Sequence, residues 1–184
     1  MTDPYFLPPT TPDDLTSAAR AAYDASRAGN DAPVSLLETT LLGHIPSFTA
    51  YRSLHTLTDE LVPYIGERAV TLFSYAISDE NDALVASVSL RKTLIDSGED
   101  VENPQVTETE QLLMDWGRLI ARDPNNVPTE MVARLTRAFN PKLRIMLVAF
   151  AGQLVATNLV TTLARIPLDA ALYDYRKPGD TRLL

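Results

Sequence analysis

The chain has 184 residues, 45% of them hydrophobic and 22% charged, with a net charge of −8 at pH 7; this suits one soluble domain with a substantial core and is short for two. No run of Lys and Arg exceeds Arg91-Lys92 or Arg176-Lys177, so the clustered basic surface that nucleic acid requires is not expected. Cysteine is absent, which excludes disulfides, thiolate metal sites and cysteine nucleophiles and is consistent with a cytoplasmic location.

From the start, Met1 to Thr11 carries Pro4, Pro8 and Pro9 and no periodicity, so residues 1–11 are predicted to form an extended arm. Its opening residues show no basic stretch followed by an apolar run, and no signal peptide is expected. A helix is predicted from Thr11 as N-cap, with Pro12 at its first position and Asp13 and Asp14 in its first turn, ending at Gly29-Asn30. Val34–Leu42 reads as a shorter helix closed by Gly43. Pro46 opens another, which runs past Leu61, and Pro63 opens the next, carrying Leu72, Phe73 and Ile77 into Asp79-Glu80-Asn81-Asp82. Those carboxylates are expected to cap the start of the following helix, where negative charge opposes the positive end of its dipole. That helix reaches Ser97-Gly98.

Glu99 to Gln105 reads as a solvated acidic loop. Thr107 with Glu110 forms a capping box for a helix carrying Leu112, Leu113, Trp116 and Ile120. Asp123-Pro124-Asn125-Asn126 is a turn, Pro128 opens a short helix, and Asn140-Pro141 opens a long one that runs to Arg165 before Pro167. Ile145 to Leu163 is apolar enough to suggest a membrane span. Its Gln153, Asn158 and threonines argue instead for a core helix enclosed by other helices or by a second subunit, so no membrane contact is expected. A short turn and a second arm complete the chain from Asp169. With no β alternation, the fold class is all-α: a bundle of seven to eight helices over residues 12–168, with arms at 1–11 and 169–184.

The stretch from Asn81 to Leu90 resembles the helix-opening motif of the alkylhydroperoxidase D / carboxymuconolactone decarboxylase family, Asn-Gly-Cys-x-x-Cys-x-x-x-His. Here Ala83 and Ala86 stand at the cysteine positions and Leu90 at the histidine position. The order and spacing of the later helices are also similar, and Asn158 fits the family's Asn-Arg pattern before a closing Pro, with Leu159 at the arginine. The family's glutamate, twelve residues before the first cysteine, corresponds to Thr71, and Glu67 lies one helical turn away. The resemblance thus implies an alkylhydroperoxidase-like frame, assembled as a dimer or trimer-based homo-oligomer. All four reactive positions, Thr71, Ala83, Ala86 and Leu90, are substituted. Dithiol chemistry needs a thiolate and a base, so peroxidase activity is expected to be absent.

Glu67, Tyr75, Ser87 and Asn158 are the polar groups that a residual pocket would use. His44 and His55 are the only histidines; neither has ligand-spaced partners, so no metal or other cofactor is expected. Three readings of function stand open: a redox-inactive binding or structural protein, an acid–base enzyme using Glu67 or Tyr75 on an unknown small molecule, and a non-catalytic partner subunit.

Overall fold

The computed structural model describes residues 6–27 and 34–182, and among these every regular element is helical. The eight α-helices are α1 (Ser17–Arg27), α2 (Leu36–Leu41), α3 (Ile45–Ile65), α4 (Glu67–Glu80), α5 (Leu84–Asp96), α6 (Glu108–Arg122), α7 (Thr129–Ala138) and α8 (Pro141–Leu163). Short 3-10 turns occupy Pro12–Asp14, Pro124–Asn126 and Ala170–Tyr175.

The punctuation explains most boundaries. Thr107 accepts from the Glu110 amide while Glu110 reaches back to the Thr107 amide, so two orphan donors of α6 are satisfied together. Asn140 accepts from Leu143 N–H at 2.9 Å, with Pro141 following at a position that needs no donor. Ser35 and Glu38 form a second capping box, which starts α2 two residues later than Val34.

Two boundaries differ from expectation. Thr11-Pro12-Asp13-Asp14 makes only a 3-10 turn, after which Leu15 is extended and α1 begins at Ser17; Gly29-Asn30 lies outside the described residues. Pro63 lies inside the last turn of α3 and opens nothing. Gly66, at φ 85°, makes the break, a left-handed conformation that a side chain would disfavour.

Helix α4 is the centre of the bundle, packed against α3, α5, α6 and α8. From Ala69 to Ser78 all its residues except Thr71 are buried. Phe73 stacks on Trp116 of α6, with centroids 5.3 Å apart, and meets Phe150 of α8 at 6.0 Å. The close approach of α4 and α6 depends on Gly117, where a Cβ would lie 3.1 Å from both Ile77 and Phe73.

Helix α8 is the main departure. One face, including Leu143, Leu147, Phe150, Leu154 and Asn158, is buried, but the other is open: Ile145, Val148, Leu159 and Leu163 are 70%, 61%, 56% and 72% exposed. It is long and apolar enough to cross a membrane, yet its polar Thr157, Asn158 and Thr161 face the bundle interior. The expected enclosure by other helices is therefore present on one side only.

Candidate functional site

The junction of α4 and α5 holds the motif positions. Helix α4 ends at Glu80, Asp82 adopts a left-handed φ of 54°, and Ala83 N–H donates to the Ser78 carbonyl at 3.0 Å. This 6→1 bond closes α4 and leaves Ala83 as the N-cap of α5, with no side chain to cap it. Ala83 is 1% exposed. Ala86 is half-buried, and Leu90 packs on Leu72, Tyr75, Ala76, Leu94 and Met114. Thr71 spends its hydroxyl on the Glu67 backbone carbonyl.

Asp79, Glu80 and Asp82 do not cap α5. Asp79 and Glu80 lie in the last turn of α4, at the unfavourable end of its dipole, and each is neutralised by a cation: Lys177, Arg122 and, for Asp82, Arg182. Two of those cations come from the C-terminal segment, so the charge cluster docks that segment against the junction.

The four polar candidates go to separate contacts. Glu67 is exposed at the start of α4. Ser87 donates to the Leu84 carbonyl, a bond within its own helix. Asn158 donates to Ser78 and to Asn81, both at 3.2 Å, and Asn81 in turn donates to the Ala121 carbonyl; this chain ties α8, α4 and α6 together. Tyr75 is buried and accepts from Arg91 at 3.4 Å.

Arg91 is the residue that sequence reading passed over. It is 5% exposed, donates to the Tyr175 carbonyl at 2.9 Å and pairs with Glu102 at 2.9 Å. One guanidinium thereby joins α4, the 99–106 loop and the C-terminal turn. Its only sequence signal is a cation next to Leu90, a half-buried position.

The acidic loop is likewise anchored instead of freely solvated. Arg68 of α4 takes both oxygens of Glu99, one of them at 3.0 Å, together with Glu110 and the Gln105 carbonyl. The Arg68 guanidinium holds the Glu99 carboxyl below its usual range. For Glu110, burial pushes the pKa up, but bonds from the Thr107 backbone and from Arg68 outweigh it and leave the carboxyl lowered. Depressed carboxyls in the folded state mean that the unfolded chain binds protons first, so this stabilisation is complete above the ordinary glutamate range, begins to fall within it, and is lost as pH drops on through the lowered folded-state values. Chemical denaturation at pH 7 and at pH 4 should therefore show the wild type losing stability on acidification, and Arg68→Met losing distinctly less.

His44 is exposed, its Nδ1 2.8 Å from Ser47 Oγ. His55 meets Tyr51 edge to face at 5.5 Å; partial burial, reinforced by Arg52, lowers its pKa. Among the described residues no group of His, Asp and Glu is placed to hold a metal ion. The described residues form clefts of about 340 and 280 Å³. The first lies between the start of α5 and the end of α8 at Leu84, Val85, Thr161 and Arg165; the second lies between α6, α7 and α8 around Trp116 and Arg144. Glu67, Tyr75, Ser87 and Asn158 line neither.

The fold defines an all-α bundle whose motif junction is sealed by apolar packing and ion pairs. In comparisons with known proteins, the chain matches no family model and no curated protein.

Proposed function

We propose that this protein carries the alkylhydroperoxidase D / carboxymuconolactone decarboxylase frame without its dithiol chemistry, and acts in the cytoplasm as a self-associating binding or scaffold protein. The observation that carries this reading is the junction itself: a helix start at position 83 facing the bundle interior, with a methyl group buried where the resemblance puts the first thiol. Apolar side chains there remove groups that would otherwise demand partners and water.

Acid–base catalysis is less well supported. Glu67 and Tyr75 lie eight residues apart on α4, about 12 Å along the axis, and the Tyr75 hydroxyl is already engaged by Arg91. Nothing brings the two groups to one reacting atom.

Self-association is supported by the open side of α8. Ile145, Ala149, Gly152, Ala156, Leu159 and Leu163 are all exposed and follow one another at alternating steps of four and three, the spacing of a helix–helix seam. Small residues occupy the middle and large ones the ends, so a second α8 approaches closely at Gly152 and is gripped at both sides. An exposed apolar stripe of this length is unusual on a monomer.

Light scattering at micromolar concentration should give a dimer or a larger assembly for the wild type and a monomer for Leu159→Glu, whose side chain lies outside the protomer's core. The same preparations should reduce no hydroperoxide in the presence of a dithiol donor. A monomeric wild type, or saturable peroxide turnover, would overturn the reading.

A further inference from the structure

The cleft between α6, α7 and α8 has features that the bundle alone does not explain. Its lining is mostly apolar, formed by Trp116, Val132, Leu135, Leu147 and Val148. Into this setting α8 inserts the Arg144 guanidinium. Its Nη1 donates to Thr136 Oγ1 at 2.8 Å, but its Nε is buried with no acceptor in reach. Arg144 takes part in no ion pair among the described residues.

Buried donors of a charged group are normally satisfied, because leaving one unmade forfeits a bond that water would have supplied. Guanidinium presents its N–H groups as a planar fork that matches the two oxygens of a carboxylate. The surrounding charge points the same way. In a protein of net charge −8, residues 129–144 carry Arg134, Arg137, Lys142 and Arg144 against Glu130 alone. A volume of about 280 Å³ is near the lower end of small-molecule pockets, which selects a compact ligand over a peptide or a lipid surface.

We propose that this cleft binds a small monocarboxylate with an apolar body, its carboxylate on Arg144 and its hydrocarbon against Trp116, Leu147 and Val148. The cleft shares no residue with the substituted motif positions. Octanoate and octanamide share a hydrocarbon chain but differ in charge, and Trp116 is the only tryptophan, so its emission reports on the cleft directly.

Titrating the full-length protein with octanoate should give a saturable change in Trp116 emission. Octanamide should bind at least about tenfold more weakly, the scale expected for losing a charge-assisted hydrogen bond. Arg144→Gln, checked for helix content by circular dichroism, should reduce octanoate affinity to the octanamide level. The proposal is overturned by equal affinities for the two compounds, by no response to octanoate, or by a folded Arg144→Gln that still prefers the acid. Should that variant not fold, the wild-type preference decides alone.

Discussion

Replacing Phe73 with alanine is expected to destabilise the fold by about 3–5 kcal/mol, the range for deleting a fully buried aromatic ring. Phe73 has no solvent exposure and sits where α4, α6 and α8 converge, stacked on Trp116 and in contact with Phe150. Collapse into the space is restricted. Gly117 already brings the α6 backbone against the ring, and the partner aromatics are held by their own helices. At this chain length the loss corresponds to a thermal midpoint roughly 6–20 °C lower. Phe6, 69% exposed near the N-terminus, provides the contrast: its alanine variant should stay within about 0.5 kcal/mol of wild type. Urea denaturation of both variants checks the pair, and a Phe73→Ala loss below 1 kcal/mol would contradict the three-helix convergence.

Much of this architecture is legible in the sequence because it is written locally. Asn140-Pro141 and the Thr107/Glu110 pair each satisfy helix-end donors within three residues, so their geometry can be read from spacing alone. Pro63 is locally ambiguous: a proline suits the first turn of a helix, and here the last turn of α3 holds it, with the Gly66 N–H still bonded to the Val62 carbonyl at 2.9 Å. Asp79 and Glu80 look like caps until α4 is seen to run through them, and their partners, Lys177 and Arg122, lie far along the chain. Contacts of that kind carry no local signature. The same holds for Arg91, which reaches partners on three separate segments, and for Arg68, which reaches the 99–106 loop and α6.

The candidate site divides in the same way. Asp79 to Asp82 mark a break between two helices in the sequence, and α5 follows it in the fold, with Ala83 buried at its start. Glu67, Tyr75, Ser87 and Asn158 share polarity but not a site: each is committed to solvent or to its own hydrogen bonds, and the buried side-chain donor left without a partner among the described residues is Arg144 Nε. Periodicity marks α8 as apolar throughout; it does not tell which face the rest of the bundle covers.

A single cysteine placed at Ala83 gives the sharpest view of the junction, since the chain has no other thiol to confuse the signal. At 1% exposure, a thiol there is reached only when the α4–α5 junction opens, so its reaction rate is scaled down by the free energy of that opening. A helix N-terminus would if anything lower the pKa of an accessible thiol and speed its reaction, which makes slow labelling diagnostic of burial. With a disulfide reagent at pH 8, Ala83→Cys should react at least about a hundredfold more slowly folded than in denaturant. Labelling of the folded protein at the rate of the unfolded chain would reveal an open, thiol-ready site and contradict the sealed junction on which the account rests.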